Sequence, residues 1–299
     1  MSDSKGTSVP ATFAKDLCVY RATNNKPNTS DASERFSVEL GEALFDALHV
    51  SPDARGSEPT GDPFSKKVAA ALSAQLGDRG CSLVIEPERA LNQFEQFRHV
   101  GALRDMKAEP SREFVKAWTS LGRFAGRRLT DPNDQERFAS LAAEVDAAVA
   151  KESDARRILL EEVGEESLLN LDVTASRQRP GPKTPSLEIG LSLKWSLRTD
   201  RAQDCRSQGA KMASLRRGRM PHFAVVTMEP RPYMLNLLGG GSGEIDCVYH
   251  LDLPALRSAV EQTCRGRPRR RATLDTFNRL VAQRRLRDWD ELVDYAATL

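Results

Sequence analysis

The sequence is poor in the features that mark several large protein classes. Its 299 residues include five cysteines, Cys18, Cys81, Cys205, Cys247 and Cys264, scattered and without a C-x-x-C pair. That pattern argues against a disulfide framework and a cysteine-based zinc site, and it fits a reducing cytoplasm. No apolar run approaches the roughly 18–20 residues needed to span a bilayer. The opening MSDSKGTSVPATFAKD holds no apolar export segment, so a cytoplasmic protein with no membrane partner is expected. Neither sign of charge dominates: 44 basic against 42 acidic residues leave a net charge of +2. The glycine cluster Gly239-Gly240-Gly241-Ser242-Gly243 lacks the Gly-Lys-Ser/Thr ending of a phosphate loop and reads as a turn.

What is present describes an ordinary globular chain, 39% hydrophobic and 29% charged, long enough for one large domain. Residues 1–35 are polar and read as an N-terminal arm, and 36–299 are expected to form a single domain. The charges are unevenly spread. Basic residues crowd Arg198–Arg219 and Arg265–Arg271, while Glu144–Glu166 is acid-rich. A nearly neutral protein of this kind can still turn one basic face to a polyanion.

Apolar periodicity predicts helices at about 37–49, with Ser37 as cap, and at 64–76, 87–106, 111–127 and 132–160. After Gly164 the pattern changes. Leu168–Ala175 and Leu187–Leu197 alternate as strands do, around the loop RQRPGPKTP. A helix at 201–216, strands at 223–228 and 245–251, and helices at 254–264 and 272–297 follow. The order predicts an α/β fold with a mostly internal sheet. Trp118 and Trp195 are expected to pack in the core, and the dispersed His99, His222 and His250 to be structural.

Chemistry concentrates between Leu168 and Pro232. Asp172 lies in one strand, and Ser192 and Lys194 lie two apart, hence on one face, of the next. An aspartate facing a lysine across neighbouring strands suits phosphodiester hydrolysis. The carboxylate holds Mg²⁺, which lowers the pKa of an attacking water, and the ammonium neutralises charge on the phosphate. The carbonyl of Leu193 is a further hard-oxygen ligand. Spacing alone favours the plainer reading, a strand-ending aspartate and a snorkelling lysine.

The residues that follow decide between these. The run Ser192-Leu193-Lys194-Trp195-Ser196-Leu197-Arg198-Thr199-Asp200-Arg201 resembles the catalytic strand and recognition-helix start of the NgoMIV-type type II restriction endonucleases, which cut around a CCGG core. Residues 217–230 look like the next strand of that family. The resemblance implies a PD-(D/E)xK restriction-endonuclease-like core, a central mixed β-sheet flanked by helices, with Asp172, Ser192 and Lys194 in the active site and Leu193 on the metal. It also implies an acid from an N-terminal helix, placed on Glu95 beside a looser match at Phe94–Phe97. Two departures stand out: Leu171 replaces a family proline, and Gln208 occupies the position fourteen beyond Lys194 where an acid is expected.

The Arg-Thr-Asp-Arg element has its own logic. Arginine bonds guanine O6 and N7 bidentately, and aspartate accepts from cytosine N4. Arg198 and Arg201, three apart with Asp200 between them, suit reading of consecutive C and G, a symmetric copy reading the other half-site. Asp31 and Arg231 are candidates for the flanking bases, and Arg267–Arg271 for phosphates. The expected activity is Mg²⁺-dependent cleavage of double-stranded DNA by a homodimer or homotetramer, GCCGGC being the implied site and 5′ overhangs the product. The alternatives are a non-cleaving DNA-binding protein and an unrelated structural protein. A methyltransferase is disfavoured by the absence of a glycine-rich cofactor loop and of an N-P-P-Y-type motif.

Overall fold

A computed structural model of the chain describes residues 11–104, 107–163, 169–181 and 183–299. These fall into two compact units, one drawing on the chain up to Phe97 together with Leu169–Leu299, the other on Arg98–Leu168.

The first unit begins within the stretch expected to be an arm. Helix α1 (Thr12–Leu17) and strand β1 (Tyr20–Arg21) are followed by Asn28, Thr29 and Ser30, all buried. Helix α2 (Arg35–Ala47) buries the stripe Leu40, Leu44 and Phe45. Glu34, not Ser37, holds its cap position. Ser37 is buried in the first turn, where its hydroxyl accepts the Asp31 N–H at 2.8 Å. Strand β2 (Arg55–Gly56) pairs with β1, and Pro63 sits in the first turn of helix α3 (Asp62–Gly77), a position that needs no N–H. Strand β3 (Val84–Ala90) then occupies the start of the segment expected to be a helix over 87–106.

The second unit contains α4 (Arg98–Arg104), α5 (Arg112–Arg128) and α6 (Pro132–Val163). Trp118 is not in a core. It is half-exposed on α5, stacked on Phe114 and donating Nε1–H to Asp146 of α6 at 2.8 Å.

The chain re-enters the first unit with β4 (Asn170–Arg177) and β5 (Ser186–Lys194); the expected strand start at Leu168 lies outside the described residues. Helix α7 (Thr199–Leu215), β6 (His222–Thr227), α8 (Pro232–Gly239), β7 (Cys247–His250) and α9 (Leu253–Cys264) follow. The final expected helix is split into α10 (Arg271–Ala282), β8 (Leu286–Asp288) and α11 (Trp289–Ala297). Its break comes at Arg284, whose φ of 55° no α-helix accommodates.

Six of the strands form the main sheet in chain order, β3-β4-β5-β6-β7-β8. The first two pairings are antiparallel and the other three parallel, giving the expected mixed α/β sheet. Strand β5 is central, and every residue from Ser186 to Leu193 is buried. Only Lys194, at its end, reaches partial exposure. Among the described residues no helix is long and apolar enough to cross a membrane.

Candidate active site and DNA interface

Pairing of β4 with β5 is last seen at Val173 opposite Leu191. One step further Asp172 stands across from Ser192. There the Asp172 carboxylate takes over a backbone donor: its Oδ2 accepts the Leu193 N–H at 2.5 Å and lies 3.5 Å from the Ser192 hydroxyl. Lys194 Nζ lies 3.6 Å from Asp204 Oδ2 on α7. The three residues expected at the active site therefore gather where β5 ends. Burial pushes the Asp172 carboxyl above the usual range; the Leu193 N–H and Lys194 draw it back, and Glu88 adds to the rise.

Glu95 is elsewhere. Its backbone N–H bonds to Pro185 O, at the start of β5. Leu193 stands eight residues further along that strand, roughly 26 Å at about 3.3 Å per residue. Glu95 therefore lies far from the Asp172 carboxylate, and the acid that the sheet register brings there is Glu88. Strand β3 pairs with β4 on both sides of that residue, Pro87 with Val173 and Arg89 with Leu171, so Glu88 stands across from Asp172. Glu88 has a φ of 52°, a conformation that costs a non-glycine residue energy and recurs at functional sites.

Gln208 is explained by the direction of α7, which starts at the end of β5 and runs back along it. Asp204 meets Lys194, Cys205 Sγ lies 3.6 Å from Ser192 Oγ, and a Cβ on Gly190 would be 3.5 Å from Met212. Position 208 is thus one turn, about 6 Å, further from Lys194 than Asp204 is. The acid of α7 that stands beside Lys194 is Asp204. Sequence reading missed both Asp204 and Glu88. The signal for Asp204 was its i−4 relation to 208, which keeps a side chain on the same helix face.

Beyond Trp195 the predicted base-reading residues open α7. Arg198 occupies its cap position and Asp200 its first turn, both exposed. Arg201 NH1 donates to Glu58 Oε1 at 2.8 Å. A cleft of about 490 Å³ joins this group to the catalytic end of β5, bordered by Glu58, Leu193, Lys194, Asp200, Arg201 and Asp204. Asp31 and Arg231 also come together, 3.6 Å apart. Arg231 is buried, however, and its guanidinium bonds Glu229, Glu34 and Leu197 O. Glu229 is itself fully buried and accepts the Leu197 N–H at 2.7 Å. This pair fixes the turn between β5 and α7.

The sequence profile of the NgoMIV restriction enzyme family matches residues 157–296, a span that contains β4, β5 and α7. The type II restriction enzyme NgoMIV of Neisseria gonorrhoeae is 28% identical over 287 residues, covering 91% of this chain and 90% of that enzyme. The chain is similar to the NgoMIV restriction enzymes. That similarity supports the class of the type II site-specific deoxyribonucleases, with DNA as partner.

Members of such a nuclease family use divalent metal ions, and the donors at the end of β5 suit one. Glu88 stands across from Asp172 in the β3–β4 register, and the Asp172 carboxyl, its pKa raised chiefly by burial and to a smaller degree by Glu88, is a charge that a divalent cation would stabilise. With the Leu193 carbonyl the two acids make a hard-oxygen set. Among the described residues no three acid, histidine or cysteine side chains form a closed cage. An open set of one or two carboxylates suits an ion that keeps several waters and shares a phosphate, as Mg²⁺ does.

Proposed function

We propose that this nuclease cleaves both strands of duplex DNA at a palindrome with a CCGG core, GCCGGC by family resemblance, leaving 5′ overhangs. It would act with Mg²⁺ as a homodimer able to pair back to back into a tetramer. The observation that carries the reading is the shared cleft, which holds Lys194 beside Asp204 and, one turn of chain away, Asp200 and Arg201. Hydrolysis and base reading thereby meet on one continuous strand-to-helix segment.

In this mechanism Asp172, Glu88 and the Leu193 carbonyl would hold the metal, and the Leu193 N–H and Ser192 hydroxyl fix the Asp172 carboxylate in place. Once bound, such a metal would supply charge neutralisation at the phosphate and a lowered pKa for the attacking water. Lys194 sets its ammonium against the non-bridging phosphate oxygen, where negative charge grows, and orients the water. Asp204 holds Lys194 in that position. Arg198 and Arg201 donate to guanine O6 and N7, and Asp200 accepts from cytosine N4. Asp31 and Arg231 serve the flanking pair, Arg231 by exchanging its contact with Glu34 or Asp31 for a base.

The test is to incubate the protein with Mg²⁺ and phage DNA and to sequence the fragment ends. Ends sharing a CCGG-centred palindrome are expected. Uncut DNA that is still bound at such sites would instead establish a non-cleaving DNA-binding protein.

A further inference from the structure

That reading leaves Glu58 without a role. The residue lies in the loop before α3, half-buried on the wall of the cleft. Its Oε1 accepts from Arg201 NH1 at 2.8 Å and from the Ser196 hydroxyl at 2.9 Å. Arg201 NH1 also donates to Ser196 O at 3.3 Å. Among the described residues, every side-chain hydrogen bond of Arg201 runs through NH1. The Nε–NH2 edge carries none.

We propose that Glu58 is a positioning residue for sequence recognition, holding Arg201 by one amino group so that its Nε–NH2 edge faces a guanine. The inference rests on Arg201 being a base reader. A guanidinium makes its bidentate guanine contact along one edge with two parallel N–H donors. Anchoring NH1 selects which edge is offered and keeps a long, flexible side chain from turning to the nearest phosphate. Phosphate contacts add affinity without sequence information. The Glu58 carboxylate also repels the DNA backbone near the cleft, a cost repaid only when Arg201 meets its base.

Loss of Glu58 therefore has a signature different from simple weakening. Affinity for the cognate duplex falls, whereas affinity for duplexes with one core guanine replaced stays the same or rises. The experiment measures binding in Ca²⁺ and cleavage in Mg²⁺ for the parent, Glu58→Ala, Glu58→Gln and Arg201→Ala on both duplex types. Glu58→Ala is expected to lose at least tenfold in discrimination. Glu58→Gln, which keeps an acceptor oxygen for NH1, is expected to recover most of it. A uniform loss on all duplexes, or unchanged discrimination beside an Arg201→Ala that has lost it, overturns the role of Glu58. If Arg201→Ala itself discriminates as the parent does, the base-reading assignment of Arg201 fails and this inference with it.

Discussion

Lys194 ends a strand that is otherwise buried throughout, and its ammonium rests 3.6 Å from Asp204 rather than in bulk water. Its work is at the phosphate and not at base edges. Lys194→Ala should abolish cleavage while leaving binding in Ca²⁺ largely intact; a variant that cuts at the parental rate would remove Lys194 from the mechanism. Glu88 and Glu95 separate just as sharply. Cleavage measured against Mg²⁺ concentration should be severely impaired in Glu88→Ala and close to parental in Glu95→Ala. Asp172 carries a cost as well as a function. Its pKa is raised by burial, so the folded state holds the proton more tightly than the unfolded chain does. The ionised carboxylate therefore works against stability at neutral pH, and this penalty fades as pH falls through the raised value toward the ordinary carboxylate range. Asp172→Asn should be inactive with Mg²⁺ and yet, in the absence of metal, melt higher than the parent at pH 7, the gap closing in acid. A lower melting temperature at pH 7 would show that the Leu193 N–H bond outweighs burial.

At the scale of elements, what could be read from sequence was whatever sequence places side by side. Ser192, Lys194 and the start of α7 lie within ten residues of one another, so strand alternation and one helix turn fixed their faces. Glu88 could not be found that way, because only the register of β3 on β4 brings it to Asp172. Strand β3 itself, VIEPERA, is rich in residues with little strand preference, and pairing along β4 overrides that tendency. The break between α10 and α11 was hidden for a similar reason: three residues of β8 are held by β7, not by local pattern. Packing of α7 offers a direct check. A Cβ on Gly209 would stand 2.0 Å from Glu244 O, whereas one on Gly122 of α5 meets nothing within 4 Å. Gly209→Ala should destabilise by about 1–3 kcal/mol through overpacking and reduce cleavage by shifting Asp204. Gly122→Ala should stabilise by about 0.5–1 kcal/mol, since alanine loses less backbone entropy in a helix. Urea unfolding of both variants measures the pair; equal effects would mean that α7 does not pack against Glu244 as described.

For the whole molecule the question is how a chain of net charge +2 attracts a polyanion. The run Arg265–Arg271 is less available than its sequence implies. Arg267 and Arg270 both bond Glu39, the latter with its guanidinium over the Phe36 ring. Arg269 and Arg271 remain exposed, Arg271 only loosely paired with Asp275 at 3.8 Å. If these two meet phosphates, each releases about one counterion on binding, and the logarithm of affinity falls with the logarithm of salt by about 0.9 per contact. Arg269→Ala and Arg271→Ala should each lower that slope by about 1, alike on cognate and non-cognate duplexes. Arg198→Ala should instead lose on the order of 1–3 kcal/mol of discrimination at core guanines. Anisotropy titrations between 50 and 200 mM salt separate the two classes. A slope unchanged in Arg269→Ala and Arg271→Ala would make this corner a solvated face and leave the α7 arginines to carry the attraction.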